Sequence, residues 1–481
     1  MALVSPKLEV ISRNQMSRLH EASLDILQNV GVVFHSEAAR QLFKKHGARV
    51  DGELVHLADD LVNKALETSP STYRHGARNP RQDILVGHRQ KKHVFSGIYG
   101  PVYVLDPVDG RRPGVMTDYI NFIKLFQAMD IVTVVGGLQV EPSDADPRKK
   151  FFQMLYQIIR NTDKALWGFP GSRKDILNMF RMVSLALGRP EGPLDRPVIG
   201  TAVCPLSPLR FTLEHADTIL TYAEQQQPVY INSCIMAGVS GPVSLLGTAA
   251  LMNAEILAGV VLTQLANPGA PVVYVPGATV ADLKHGVYTG GGPESNLIVI
   301  AGLQMALDLY KLPTRVMGGL SDAKEVDYQA GAETMQNLLM PLLAGAHFLN
   351  NALGNLDGQL TTSFEKCILD LEAIERVLRV LKGVEGYDEE PALDLIKEMG
   401  HQGQYLMHRN TFDHYRRRWR PSVSNWDDYQ RWQRLGAPDL AAKAERIRRD
   451  ILAAAPETLL EPEIDRDLRK FVEKVEPAGS E

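Results

Sequence analysis

HVFSG (93–97), VTVVGG (132–137), KALWGF (164–169), VIGTAV (198–203), PVYINS (228–233), VVYVPG (272–277), TRVMGG (314–319) and HFLNNA (347–352) are eight short apolar runs whose order and spacing decide the fold. Each is followed by a helical pattern, at about 117–128, 147–162, 171–187, 208–226, 244–266, 293–310, 329–343 and 363–381. Short β-branched runs alternating with longer 3.6-period segments signify βα units and a parallel sheet. An open doubly wound sheet rarely repeats one unit eight times. A closed (β/α)8 TIM barrel needs that number, in about 250 residues plus insertions. The predicted fold is therefore α/β: a TIM barrel over 91–384, with a small α+β unit before it (1–90) and a helical extension after it (385–481).

A barrel locates function before naming it, because its chemistry sits where strands run out into the following loops. Here those ends offer Ser96-Gly97-Ile98-Tyr99-Gly100, Trp167-Gly168-Phe169-Pro170, Cys204-Pro205-Leu206-Ser207, Asn232-Ser233-Cys234, Pro276-Gly277, Gly318-Gly319 with Asp322, and Asn350-Asn351. The polar groups are mostly neutral amides and hydroxyls, and the large groups are aromatic. A hairpin, PVYVLD–PVDG–RRPGVM, follows the first strand and stands ready to roof the site.

Working outward, residues 13–29 read as an amphipathic helix, VGVVF as a strand, and Ser36 as the cap of a second helix. A hairpin turns at Asp51-Gly52, and Ala58 to Thr68 forms a third helix. Beyond Glu385 the pattern becomes polar and helical, with Trp419, Trp426 and Trp432 in one aromatic, basic stretch. Core packing of a capping helix explains those tryptophans; a partner-docking surface is the alternative, since Trp, Tyr and Arg dominate interface hot spots.

The 481 residues are 44% hydrophobic with a net charge of −5, enough apolar material for a large core and no basic footprint for nucleic acid. The apolar helix near Ile256–Leu265 is too short to span a bilayer, so no membrane association is expected. Cys204, Cys234 and Cys367 are too few and scattered for a disulfide framework, and a cytoplasmic, homo-oligomeric protein is expected.

Several long motifs carry a resemblance. SGIYGPVYVLDPVDGRRPGVMTDYINFIKL (96–125), GGGPESNLIVIAGLQMALDLYKLPTR (290–315) and SDAKEVDYQAGAETMQNLLMPLLAGAHFLNN (321–351) resemble the trimethylamine methyltransferase family. So do QMSRLHEASLDILQNVGVVFHSEAARQLFKKHGARVDG (15–52) and HRNTFDHYRRRWRPSVSNWDDYQRW (408–432), so the likeness spans nearly the whole chain. The resemblance implies methyl transfer from a methylated amine to cobalt(I) of a corrinoid (cobalamin) on a separate partner protein, with no tightly bound cofactor or metal of the chain's own. Archaeal trimethylamine members carry an in-frame pyrrolysine; this chain has only ordinary residues, which favours a quaternary amine. Glycine betaine is the preferred expectation. Proline betaine, carnitine, butyrobetaine and trimethylamine are alternatives, as is a non-catalytic betaine-binding barrel.

A quaternary ammonium releases a neutral tertiary amine without prior protonation, so positioning in a poorly solvated site is the protein's main task. Aromatic faces at Tyr99, Trp167, Phe169 and Phe348 are candidates for the trimethylammonium cage. A carboxylate would take donors from Asn232, His347, Asn350 or Asn351, with Arg315 contributing if its side chain reaches up the barrel. As the start of its strand, Arg315 is expected at the bottom, in a structural ion pair. Glu294 and Asp322 are candidates for contact with the cation, weighed against plain helix-start charges. Alternation places His347, Leu349 and Asn351 on one face of the eighth strand and Phe348 and Asn350 on the other, and leaves open which face turns inward.

Overall fold

The computed structural model describes residues 7–189, 193–384, 388 and 390–478; the ends of the predicted terminal units at 1–6, 385–387, 389 and 479–481 lie outside them. All eight predicted strands form: Val94–Phe95, Val134–Gly136, Ala165–Trp167, Ile199–Val203, Val229–Ser233, Val272–Pro276, Arg315–Met317 and Phe348–Asn350. A helix follows each, from Met116–Ala128 after the first to Phe364–Leu381 after the eighth. The fourth helix starts later than its pattern suggested, at Leu213, because Arg210–Phe211 forms a short strand first.

The core strands lie in two parallel sheets rather than one continuous ladder. The second to sixth strands form a five-stranded sheet, and the seventh, eighth and first form a three-stranded one. Single parallel bridges, Ser96 to Val134 and Tyr274 to Thr314, link the two sheets at both edges. Backbone bonds from Thr133 N to Phe95 O (3.0 Å) and Tyr274 N to Pro313 O (2.9 Å) accompany them.

Strand alternation sorts the apolar residues into two bodies. Phe95, Val135, Leu166, Ile199, Ile231, Val272, Val316 and Leu349 face the helices. Val94, Val134, Ala165, Trp167, Ala202, Tyr230, Val273, Val275 and Phe348 converge on the inner face. Burying each such side chain contributes about 1.5–3 kcal/mol, so a one-residue slip of any strand would cost several times that.

The base of the inner face is closed by a hairpin, Thr72–His75 with Ile84–Gly87, that the sequence reading had not assigned. Its Tyr73 joins the inner cluster, and the Tyr73 and Tyr230 hydroxyls lie 2.5 Å apart. In the N-terminal segment Ser12 and Ser36 accept from Gln15 and Ala39 N–H groups, and Gly52 turns a hairpin at φ +63°. The segment is not free-standing, since Val32–Phe34 runs parallel to Arg210–Phe211.

Its helices pack on Leu245–Ala266, which is thereby enclosed between that unit and the sheet. This 22-residue helix is the one described element long and apolar enough to cross a membrane, and 78% of its most apolar window is buried inside the protein. At the other terminus, Leu440–Ala454 packs on Phe364–Leu381 and Met116–Ala128, and Pro462–Lys474 packs on Lys150–Asn161 and Arg173–Ala186. The described stretch before them, over 390–439, does not pack as a capping helix, and Trp426 is 61% exposed.

Candidate functional site

The inner face runs upward from an aromatic floor to a polar mouth. Trp167, Tyr230 and Phe348 form the floor, with ring centroids 4.6 Å (Trp167–Tyr230), 5.6 Å (Trp167–Phe348) and 5.8 Å (Tyr230–Phe348) apart. All three are essentially fully buried. The eighth strand therefore turns Phe348 and Asn350 inward, opposite Arg315 and Met317 of the seventh.

Arg315 is the largest departure from the sequence expectation. It is 2% exposed, and its guanidinium carbon lies 5.0 Å above the Trp167 ring. With the Asn350 amide oriented to satisfy both of its ends, Asn350 donates to Ser96 Oγ (2.6 Å) and accepts from Arg315 Nη2 (2.9 Å). Arg315 Nε and Nη1 have no hydrogen-bond partner among the described residues, and no carboxylate pairs with it there. Burial pulls its pKa down, opposed by Cys204, Cys234, Tyr230 and Tyr99, the groups it faces. The expected structural ion pair is absent because a three-residue strand lifts a long side chain past its own upper end. A buried guanidinium with open donors is costly unless something pairs with it, and its planar fork suits a carboxylate.

Above this fork stand Asn232 and two thiols. Asn232 Nδ2 donates to Cys204 Sγ (3.2 Å) and Cys234 Sγ (3.1 Å), while its buried Oδ1 has no partner. The Cys204 thiol is held down at about 7 by a hydrogen bond from Cys234, then by Asn232 and Arg315, against burial. Cys204 is nonetheless solvent-exposed, so the mouth opens over it. Among the described residues no cluster of three or more His, Cys, Asp or Glu side chains is placed to hold a metal.

Aromatic and amide groups flank this opening. Tyr99 is half-buried, 6.1 Å from Trp167, with its phenol raised well above its ordinary pKa by burial. Gly137 (φ +67°) makes room for both rings: a Cβ there would lie 2.5 Å from Trp167 and 2.6 Å from Tyr99. On the far side Asn351 Nδ2 donates to Gln359 Oε1 (2.8 Å), and Gln359 Nε2 donates to the Tyr288 hydroxyl (2.7 Å). Tyr288 is likewise kept neutral by burial.

The structure thus brings together Tyr99, Trp167, Asn232, Arg315, Phe348, Asn350 and Asn351. It separates Phe169, whose strand ends at Trp167 and whose ring stacks on Phe151 on the helix side (4.8 Å). It also separates His347, which lies just before its strand with Nδ1 accepting from Thr314 N (3.1 Å); burial lowers its pKa to about 3. Glu294 sits on the exposed first turn of Pro293–Gln304, a helix-start charge outside the inner face. Asp322 is half-buried and ties two mouth loops together, accepting from Gly290 N (2.9 Å) and Gly291 N (2.8 Å). Sequence reasoning missed Ser96 as the group orienting Asn350, and Tyr288 and Gln359 altogether. The unassigned 278–292 loop after the sixth strand was the available signal, since long loops at that end of a strand carry function.

Comparison with known proteins identifies the family. The family model described as trimethylamine methyltransferase (MTTB) matches residues 2–479. The glycine betaine methyltransferase of Desulfitobacterium hafniense (strain Y51) is 32% identical over 473 residues, 98% of each chain. The proline betaine:corrinoid methyltransferase of Eubacterium limosum is 33% identical over 430 residues, covering 86% of this chain and 87% of its own. The solved monomethylamine methyltransferase (MtmB) of Methanosarcina barkeri superposes with a TM-score of 0.52 at 12% identity, over 94% of this chain and 89% of that one, a likeness of fold. With a family match across its whole described length and relatives of this similarity, the chain belongs to the trimethylamine methyltransferase family.

Proposed function

We propose that this methyltransferase takes its methyl group from a carboxylated quaternary amine, glycine betaine first among them, and delivers it to the cobalt of a corrinoid carried by a partner protein. The observation that carries this reading is the open fork of Arg315, buried on the inner face with Nε and Nη1 unpartnered. A zwitterion supplies the missing carboxylate. Trimethylamine, protonated in water, has no group to offer that guanidinium and would be repelled by it. The names of the relatives, betaine methyltransferases among them, point the same way.

In this reading the eight strands act as one (β/α)8 ring, closed by the Ser96–Val134 and Tyr274–Thr314 bridges. Arg315 and Asn350 orient the carboxylate at the floor. Tyr99 and Tyr288 present aromatic faces to the trimethylammonium group, each worth about 0.5–2 kcal/mol. The partly ionised Cys204 sulfur adds negative charge beside the cation. Asn232 holds that sulfur in place. The floor aromatics exclude water, and because the breaking C–N bond leaves its electron pair on the cationic nitrogen, the amine departs as a neutral tertiary amine with no proton to manage.

The corrinoid, in its cobalt(I) state, supplies the nucleophile from outside the mouth. The mouth loops fit a docking protein: Leu206, Val239, Val243, Leu283 and Leu360, after the fourth, fifth, sixth and eighth strands, are each at least half exposed. An exposed apolar rim of this kind marks an interaction site.

The test incubates the protein with reduced corrinoid and glycine betaine and follows dimethylglycine by NMR, beside proline betaine, carnitine, butyrobetaine and trimethylamine. Dimethylglycine formation is expected. Betaine binding with no tertiary amine released would overturn the reading.

A further inference from the structure

Over its described residues from 390 to 437 the chain leaves the body of the molecule and packs on little of it. Among the described residues of 388–437 only Val423 is buried. Its base is fixed: Glu372 accepts from Val423 N (2.6 Å) and Ser424 N (2.9 Å), and Arg376 stacks over Trp419 at 4.6 Å. Beyond that base the arm exposes Leu406 (83%), Met407 (81%), Phe412 (72%), Trp426 (61%), Tyr429 (63%) and Leu435 (60%).

These six side chains alone leave roughly 800 Å² of apolar surface in water, the amount that one partner of a standard interface buries. Isolated surface apolar residues need no explanation, but six of this size on one arm do. The short helices of the arm, Leu393–Met399, Arg409–His414 and Tyr429–Arg434, are also below the length at which a helix is stable by itself in water.

Charge indicates what covers the arm. Residues 405–437 hold seven arginines against three aspartates, whereas the rest of the chain holds 45 basic against 54 acidic residues. Arg417, Arg420 and Arg434 have no ion-pair partner among the described residues. A basic, aromatic arm on an acidic body is complementary to the body of another molecule of the same chain. We infer that this arm is exchanged between copies, each protomer laying its residues 405–437 on the acidic body of a second.

Sedimentation velocity and light scattering on the full chain test this. The wild type should run at a multiple of 53.3 kDa and dissociate more readily as ionic strength rises. The double variant Phe412→Asp/Trp426→Asp changes side chains that are already in solvent, so it should retain its unfolding transition and run at 53.3 kDa. Arg417→Glu/Arg420→Glu should weaken assembly at low salt and less so at high salt. A monomeric wild type would overturn the inference. So would an oligomer unchanged in both variants, or a monomer that uses these residues to bind the corrinoid protein instead.

Discussion

Replacing Arg315 with Met keeps the length and apolar stem of the side chain and removes only the fork. If that fork holds the substrate carboxylate, removing one partner of a desolvated charge pair costs about 2–5 kcal/mol. At ~1.4 kcal/mol per decade this is a loss of roughly 30- to several-thousand-fold in betaine affinity. Folding should respond differently. In the free protein the guanidinium is buried with two donor positions unmet, and each unmet buried group costs about 1–3 kcal/mol. Set against that are the Asn350 hydrogen bond and the Trp167 stack, each worth about 1 kcal/mol. The variant should therefore melt no lower than the wild type while losing glycine betaine. Isothermal calorimetry with glycine betaine, alongside thermal unfolding, separates the two effects. Choline, which carries a hydroxyl in place of the carboxylate, should bind weakly and not lose further affinity in the variant. Betaine affinity within threefold of wild type would refute the assignment of Arg315.

Other expectations follow from the same geometry. Tyr99→Ala and Tyr288→Ala should each weaken substrate binding by about 0.5–2 kcal/mol, measured by the same calorimetry, with the Phe variants close to wild type. Cys204, with its pKa lowered to about 7, should be alkylated by iodoacetamide at a rate that rises through neutral pH, and Asn232→Ala should move that rise to higher pH. Gly137→Ala should destabilise the fold by about 1–3 kcal/mol in denaturant titration and weaken betaine binding, because its Cβ meets Trp167 and Tyr99 at a positive φ. Burial raises the Glu372 carboxyl, but bonds from Ser424, Val423 and Arg376 outweigh it and hold the pKa at about 2. Its folded pKa is depressed, so its contribution is present above the ordinary carboxylate range and is lost as pH falls toward 2. Proteolysis within 405–437 should accelerate over that window in wild type, and at neutral pH in Glu372→Gln.

The architecture was legible because buried parallel strands read as continuous apolar runs, such as VIGTAV and VVYVPG, that cannot be mistaken for half-exposed ones. Tyr99, Asn232 and Asn350 were legible for a related reason: they stand at the C-terminal ends of those runs. The inward face of the eighth strand was not, because HFLNN is acceptable in either register. Only packing of Phe348 against Trp167 and Tyr230 decides it. Arg315 was misplaced by a rule suited to longer strands. Only about 7 Å of rise separates residues 315 and 317, less than the reach of an arginine side chain. Phe169 and Glu294 were drawn into the site by proximity in sequence, whereas Tyr288 and Gln359 enter it from loops whose path depends on Asp322 clamping Gly290 and Gly291. The tryptophans of the extension pattern like a packed helix, but Trp426 stands 61% exposed on an arm that does not fold back on the body.

The central claim is that a buried cation, Arg315, selects a methylated amine bearing a carboxylate. Its most direct test follows the absorbance of cobalt(I) corrinoid as it becomes methylcobalt, with glycine betaine and trimethylamine as parallel donors to the same enzyme. Conversion is expected with glycine betaine, lost in Arg315→Met, and absent with trimethylamine. Conversion with trimethylamine at an equal rate, unaffected by Arg315→Met, would contradict it.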